Sequence, residues 1–174
     1  VLVGDNARIL FDNSGNLIDV TTKSPTVGGV DVITSGTGHD VIFGGSAADT
    51  ITDAGGRNIV VGDNGHATFD TSRQLRTIDS IDTDFGGVDN ITTGNGDDVI
   101  LGGNAGDTIA AGNGRNIIVG DHGTASLDAA GTLLTIRTTA TATGGDDTIT
   151  SGTDNDVVLG GAANDTISIV GGKN

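Results

Sequence analysis

Aspartate recurs at a nine-residue spacing in much of this chain, and its carboxylate is the group with the clearest chemistry in the sequence. Asp31, Asp40 and Asp49 stand nine residues apart, and Asn58 takes the next place in the series. Glycine-rich stretches surround these positions, and a branched apolar residue follows each of them by two. Carboxylate oxygens and the carbonyl oxygens of glycine-rich turns are hard ligands that suit Ca²⁺ better than Zn²⁺. The spacing therefore predicts a repeating site for a hard divalent cation.

Each nine-residue phrase predicts a turn of about six residues and a strand of about three, because glycine permits tight turns and Val, Ile and Thr favour strands. Two phrases, about 18 residues, would complete one coil of a solenoid. Asp31 should then stack near Asp49, and Asp40 near Asn58, with coils about 4.8 Å apart. At about 5 Å, two carboxylates repel by roughly 3 kcal/mol at an effective dielectric constant of 20, so the columns require cations. The same register predicts an inward apolar file of Ile33, Ile42, Ile51, Val60, Phe69, Ile91, Ile100, Ile109, Ile118 and Leu127.

The composition favours an all-β protein and excludes several functional classes. Gly accounts for 31 of the 174 residues, and the 23 acidic residues are all Asp, which favours turns over helices. The formal charge of −15 argues against a nucleic-acid partner and against adhesion to an anionic membrane surface. The absence of Cys excludes disulfides and thiolate metal sites. No apolar run is long enough to span a bilayer, and we expect any export signal to lie outside this sequence.

A second, longer period of 58 residues divides the chain into three units. The segment Val-Leu-Val-Gly-Asp-Asn at 1–6 returns in similar form at 59–64 and 117–122, and the Gly-Gly pair that begins at 28 returns at 86 and 144. The predicted domains are repeat unit 1 at 1–58, repeat unit 2 at 59–116 and repeat unit 3 at 117–174. Because the pattern has no cap at either end, we expect one continuous solenoid cut from a longer array.

Each unit also contains a predicted β-hairpin. In the first unit, two apolar-rich runs within 7–23 flank the Ser14-Gly15 turn, and counterparts lie at 67–81 and 125–139. Asp12, Asp70 and Asp128 precede these turns and are expected to form Asx turns rather than bind a metal. We expect a hairpin either to fill one edge of a coil, which gives about nine coils and a length of roughly 43 Å, or to project as a lateral contact surface.

The nine-residue phrase resembles the Gly-Gly-x-Gly-x-Asp-x-U-x nonapeptide of RTX proteins, the hemolysin-type repeat that binds calcium in a β-helix. The best matches are 35–43, 93–101 and 102–110. The resemblance implies a right-handed parallel β-roll, a β-solenoid into which the hairpin of each 58-residue unit is inserted. It also implies Ca²⁺ held by aspartates and turn carbonyls, and a secreted protein exported by type I secretion. Carried over by motif position, the ligands would be Asp31, Asp40, Asp49, Asp89, Asp98, Asp107, Asp147, Asp156 and Asp165.

The fifth phrase of a unit departs from the motif because it carries Gly-Asp at its start and lacks the usual aspartate. These aspartates could complete the calcium site above them or cap the hairpin. They are Asp5, Asp63 and Asp121.

The fourth phrase of every unit has Asn at the motif position, and a basic residue precedes it each time. These pairs are Arg57-Asn58, Arg115-Asn116 and Lys173-Asn174. A neutral ligand beside a fixed cation should weaken a calcium site. Alternatively, a salt bridge from the basic residue to Asp40 and its equivalents should replace the ion.

No enzymatic activity is expected, because an active site needs one distinctive pocket and three similar units with a thin aliphatic core offer none. His39, His66 and His122 occupy different places in their units and are expected to be exposed loop residues. The sequence therefore predicts a calcium-stabilised structural segment of a large secreted or cell-surface protein, such as an adhesin spacer or an extracellular filament. Such a segment could contact neighbouring copies end to end or laterally.

Two alternative functions remain open. The array could be the secretion and folding tail of an RTX enzyme or toxin, although such tails usually end in a cap. One face of the solenoid could instead bind ice or a polysaccharide through a file of threonines, Thr34, Thr52, Thr92 and Thr150. We expect this file to be interrupted by Phe43, Val61, Leu101 and Ala110.

Overall fold

The computed structural model describes residues 1–174 and contains strands, turns and no helix, so no helix is available to cross a membrane. Eighteen strands follow one another along the chain. They are β1 (Leu2–Val3), β2 (Ala7–Phe11), β3 (Leu17–Thr22), β4 (Val32–Ser35), β5 (Val41–Phe43), β6 (Thr50–Asp53), β7 (Ile59–Val61), β8 (Gly65–Phe69), β9 (Leu75–Ser80), β10 (Asn90–Thr92), β11 (Val99–Leu101), β12 (Thr108–Ala110), β13 (Ile117–Val119), β14 (Gly123–Leu127), β15 (Leu133–Thr138), β16 (Thr148–Ser151), β17 (Val157–Leu159) and β18 (Thr166–Ile169).

The strands form three sheets of six strands each. The inner parallel sheet has the order β1-β5-β7-β11-β13-β17, and the outer parallel sheet has the order β4-β6-β10-β12-β16-β18. The chain passes alternately between these two sheets, which makes them the two walls of a parallel β-roll. The hairpin sheet has the order β2-β3-β8-β9-β14-β15 and is antiparallel.

The inner sheet has an apolar core on each of its faces. Ile42, Val60 and Ile100 point into the roll and pack with the isoleucines of the outer sheet. Phe43 and Val61 point to the opposite face and pack against the hairpin sheet. The inner strands accordingly read as continuous apolar runs, as expected for strands that are buried on both sides. This second core is the reason why the hairpins fold back over the roll.

The apolar residues that were predicted to face the interior of the roll do so, except for the two that lie in hairpins. Phe69 and Leu127 were expected inside the roll, but they lie in the hairpin sheet and belong to the second core. The other eight members line the interior of the roll. The exception arises because a phrase that begins as a repeat continues into a hairpin strand, where the same apolar residue faces a different sheet.

The expected number of coils was wrong. Each wall of the roll has six strands, so the chain forms six coils, and their length at the usual strand spacing is about 29 Å rather than about 43 Å. The hairpins do not fill a coil edge, because their strands pair with one another and none joins a parallel sheet. They form a third layer instead. The boundaries of the three predicted units stay a prediction.

The hairpin turns have the predicted Asx geometry. Asp12 accepts backbone hydrogen bonds from Ser14 and Asn16, both at 2.8 Å. Asp70 and Asp128 make the equivalent bonds in their own turns. These carboxylates therefore shape the hairpin tips and lie away from the motif aspartates.

Candidate metal centre

The turns of the roll lie on two edges, and the acidic edge is the one where the chain enters the outer sheet. Its aspartates follow one another from coil to coil, so the stacking of Asp31 near Asp49 is as predicted. In each step the backbone N–H of one aspartate donates to Oδ1 of the next, at 2.7 to 3.1 Å. We call these six residues the acidic column, and they are Asp31, Asp49, Asp89, Asp107, Asp147 and Asp165.

The second carboxylate oxygen of this column has no hydrogen-bond partner. Oδ2 is buried and unpartnered in Asp31, Asp49, Asp89, Asp107 and Asp147. Such atoms are rare in folded proteins, because an unpaired buried polar group is costly. A buried oxygen that repeats in this state along a column requires a positive partner.

Backbone oxygens converge on the same places. A Cβ atom added to Gly102 would collide with the carbonyl oxygen of Gly120 and with Oδ2 of Asp107. A Cβ atom on Gly62 would meet the carbonyl oxygen of Gly102 and Oδ2 of Asp89. Glycine at these positions therefore allows turn carbonyls and carboxylates to approach each other closely. The resulting cradle is lined by oxygen atoms.

The electrostatic environment of the acidic column opposes a bare negative charge. Burial, together with repulsion from Asp89, Asp63 and Asp147, raises the pKa of Asp107 to about 10. Burial and the nearby charge of Asp49 raise the pKa of Asp89 to about 8. Asp89 and Asp107 therefore need either a proton or a cation at neutral pH.

The residues of the acidic edge fit Ca²⁺. The donor set consists of carboxylate and carbonyl oxygens, which is the chemistry that Ca²⁺ prefers, whereas Zn²⁺ prefers nitrogen and sulfur. No cluster of three or more His, Asp or Glu side chains that could hold a metal occurs in the chain. Backbone carbonyls would therefore have to complete each coordination shell beside the carboxylates of successive coils.

The Gly-Asp aspartates at the hairpin roots already have partners for both carboxylate oxygens. Asp63 accepts a hydrogen bond from the N–H of Gly87 at 3.0 Å on Oδ1, and another from the N–H of Asn104 on Oδ2. Asp5 and Asp121 make the same pair of bonds in their coils. These residues therefore tie the loop after each hairpin to the roll. Their part in binding calcium stays a prediction.

The mixed edge is the other edge of the roll, where Asp and Asn alternate from coil to coil. Its column consists of Asp40, Asn58, Asp98, Asn116, Asp156 and Asn174. Two carboxylates in it are separated by one Asn, so their repulsion is about 1.7 kcal/mol at a dielectric constant of 20, against about 3.5 kcal/mol between adjacent coils. Burial raises the pKa of Asp98 to about 6. The mixed column therefore carries a smaller electrostatic burden than the acidic column.

The basic residues beside these asparagines do not pair with Asp40 or its equivalents. Arg115 forms its ion pair with Asp97, with Nη2 and Oδ2 2.9 Å apart. Arg57 donates to the side-chain oxygen of Gln74 in a hairpin tip at 3.2 Å. The predicted salt bridge to Asp40 and its equivalents is therefore absent, because the long basic side chains extend away from the buried column and bind other partners.

The sequence reasoning missed the burial of Asp53 and His122. Asp53 is 3% exposed and accepts hydrogen bonds from the N–H of Gly55 and from Nδ2 of Asn58, both at 2.7 Å. His122 was expected in an exposed loop but is 1% exposed at a hairpin root. The available signal was its register, since His122 takes the place that Asn64 has in the preceding unit.

The comparison with known families agrees with this geometry. The model of the RTX calcium-binding nonapeptide repeat matches the chain in four copies, at residues 26–52, 34–69, 83–118 and 139–168. These matches cover more than half of the chain and include every member of the acidic column. No curated protein sequence matches the chain. With a parallel β-roll, an oxygen-lined column of unpartnered carboxylates and four matched copies of the repeat, the chain belongs to the RTX calcium-binding nonapeptide repeat family.

Proposed function

We propose that this protein is a calcium-stiffened structural segment of a secreted or cell-surface protein, which acts as an adhesin spacer or as part of an extracellular filament. The observation that carries the proposal is the acidic column, in which buried Oδ2 atoms recur without partners. A column of this kind makes folding depend on cations. It couples the state of the whole roll to the calcium concentration around it.

The residues of the chain divide this task between them. From Asp49 onward, Oδ1 of each column aspartate accepts a hydrogen bond from the backbone of the preceding coil. Oδ2 of every member except Asp165 is buried without a partner. The column aspartates and the turn carbonyls would hold Ca²⁺, which would supply the positive charge that the buried carboxylates need. The free energy of binding then becomes free energy of folding. Such a chain would be exported unfolded from a low-calcium cytoplasm and would fold outside.

The fold suits an extended role because both ends of every sheet are open. β1 and β17 end the inner sheet, and β4 and β18 end the outer sheet. End strands have unpaired backbone groups to which another strand can add. Further coils or a neighbouring copy could therefore continue the roll along its axis.

The test is to strip the chain with a chelator and titrate it with Ca²⁺, with Mg²⁺ as the control. Far-ultraviolet circular dichroism and thermal melting report folding, and small-angle X-ray scattering reports the length of the particle. We expect β signal, a cooperative melt and a rigid elongated particle to appear with Ca²⁺ and not with Mg²⁺. A chain that is fully folded and equally stable in chelator would refute the proposal.

A second candidate function is binding through the threonine face, which we define as the outward side of the outer sheet. The interruption expected there is mostly absent, because Phe43, Val61 and Leu101 lie in the inner sheet and are buried. Only Ala110 lies in the file. The outward positions of the six strands are Val32, Thr34, Thr50, Thr52, Asn90, Thr92, Thr108, Ala110, Thr148, Thr150, Thr166 and Ser168.

The threonine face supports a ligand that is flat, uncharged and regular. It carries no charged side chain, although the chain as a whole has a formal charge of −15. Its outward side chains repeat about every 4.8 Å from strand to strand and about every 6.7 Å along each strand. It has no aromatic ring on which a sugar could stack, so we favour ice over a polysaccharide.

Inhibition of ice recrystallisation tests this second candidate. Thr92→Lys places a charge at the centre of the threonine face and should abolish the inhibition. Thr71→Lys, at an exposed hairpin tip, is the matched control. If the unaltered chain has no effect on ice growth, the threonine face does not bind ice, and pull-down with crystalline cellulose or chitin tests the polysaccharide alternative.

A further inference from the structure

The asparagines of the mixed edge have the same backbone role as the aspartates. The N–H of Asp98 donates to Oδ1 of Asn116 at 3.1 Å, and the N–H of Asp40 donates to Oδ1 of Asn58 at 3.0 Å. Oδ1 therefore holds the neighbouring coil whether the residue is Asp or Asn. The difference between the two residue types lies in the second atom of the side chain.

That second atom is a donor in Asn, and it is already bonded. Nδ2 of Asn116 donates to the carbonyl oxygens of Gly112 and Gly114 at 3.0 and 3.2 Å, and to the hydroxyl of Ser151 at 3.1 Å. Nδ2 of Asn58 donates to the carbonyl oxygen of Gly56 at 3.1 Å. Both asparagines are fully buried. In Asp98 and Asp156 the equivalent atom, Oδ2, is buried and has no partner, but each of these aspartates is hydrogen-bonded to an asparagine in both neighbouring coils.

The amide group of Asn therefore forms hydrogen bonds at the place where a carboxylate would need a cation. Its N–H groups bind the turn carbonyls that would otherwise face a metal, and an amide nitrogen that donates in this way cannot be a calcium ligand. An Asn turn of the mixed edge is therefore complete without calcium.

Asp and Asn alternate along the whole mixed edge, so an Asn turn that needs no calcium adjoins every Asp turn. Every gap between successive coils on the mixed edge brings one Asp turn against one Asn turn. Every gap on the acidic edge brings two Asp turns together. No gap on the mixed edge therefore brings two carboxylates of the column together. The buried carboxylate of Asp53 lies beside Asn58, but both of its oxygens already accept hydrogen bonds, from Gly55, Asn58 and Ser35.

We propose that the amide groups of Asn58 and Asn116 take the place of calcium on the mixed edge, so that the roll binds calcium along the acidic edge alone. The inference rests on the proposed calcium-stabilised function and specifies which of its sites are used. One edge of the roll is then stabilised by hydrogen bonds encoded in the sequence, and the other edge depends on the ion.

The experiment compares two substitutions of buried carboxylates in the whole chain. Equilibrium dialysis with radioactive calcium gives the number of ions bound at saturation. Asp107→Asn, on the acidic edge, should lower this number by at least one per chain, whereas Asp98→Asn, on the mixed edge, should leave it unchanged. An equal loss of bound calcium in the two variants would overturn the inference while the proposed function stands. A wild-type chain that binds no calcium would refute the proposed function itself.

The reverse substitution gives a second measurement. Asn116→Asp recreates two adjacent carboxylates on the mixed edge, so it should raise the number of bound calcium ions and lower the melting temperature in chelator. Asn13→Asp makes the same change of charge at an exposed hairpin tip and should change neither quantity. If Asn116→Asp binds no additional calcium although circular dichroism shows that it is folded, the inference is wrong.

Discussion

A change of pH from 8 to 6.5 in chelator should stabilise this fold. Burial, reinforced by nearby carboxylates, raises the pKa values of Asp63, Asp89 and Asp107 to about 9, 8 and 10 from an ordinary value of 3.8. Between pH 6.5 and 8 the folded chain therefore binds more protons than the unfolded chain. Stability must then fall as the pH rises through this window.

The expected size of the effect follows from the number of protons. Each such group changes the free energy of unfolding by about 1.4 kcal/mol per pH unit, so three groups over this window give up to about 6 kcal/mol. Even a third of that value, about 2 kcal/mol, would shift the melting temperature of a chain of this size by about 4 to 8 °C. The lower limit of the window avoids His122, because burial lowers the pKa of that imidazole and opposes the trend at lower pH.

Thermal melts followed by circular dichroism at three pH values across the window measure this slope. Asp107→Asn is the control, because it removes one of the groups that bind protons in this window and should therefore reduce the slope. Asp49 and Asp147, whose pKa values burial raises to about 7, contribute to the slope as well. In saturating calcium the slope should largely disappear, because the metal-bound carboxylates of the folded chain are then deprotonated, as those of the unfolded chain already are. A calcium-free stability that is constant, or that rises with pH, would refute the assignment of buried, unneutralised carboxylates.

Three further outcomes are expected. At pH 7, Asp107→Asn should stabilise the calcium-free fold by up to about 4 kcal/mol, because no buried carboxylate then has to be neutralised; a lower melting temperature in chelator would contradict this. Phe43→Ala opens a cavity in the second core, where the ring is fully buried. Denaturant unfolding should show a loss of about 3 to 5 kcal/mol in the free energy of unfolding, against less than about 1 kcal/mol for Phe11→Ala, whose ring is exposed. Arg73 has a left-handed φ of 63° in the second hairpin turn, where the first turn has Gly15 at 79°, so Arg73→Gly should raise the melting temperature by the equivalent of about 1 kcal/mol. A large loss of stability would show that the hydrogen bond from Nε of Arg73 to Oδ1 of Asn16 in the first hairpin, at 3.0 Å, matters more.

Local periodicity made much of the roll predictable. The spacing of Asp40 and Ile42, repeated every nine residues, fixes both a turn and the inward side chain of the following strand. The alternation of Asp and Asn on one edge follows from the same spacing, once two phrases are taken as one coil. These features depend on residues close together in the chain, which is why the pattern alone predicts them.

The position of the hairpins could not be predicted in the same way. A hairpin such as β8–β9 has one apolar face, but nothing within its own residues specifies which surface covers that face. The signal was in the inner strands, where Val41, Ile42 and Phe43 are all apolar, whereas the outer strand at 50–52 alternates Thr-Ile-Thr. A strand that is apolar on both sides requires cover on both sides.

The sequence by itself therefore determined the all-β repeat, the apolar interior of the roll and the two columns of motif residues. The tertiary structure alone decided that the hairpins form a third sheet, that the roll has six coils and that the threonine face is left bare. It also decided the state of the second side-chain atom in each column, where Nδ2 of Asn116 has partners and Oδ2 of Asp107 has none. The physical reason is that a nine-residue pattern acts within one coil, whereas sheet packing and the pairing of buried polar atoms depend on residues that only the folded chain brings together.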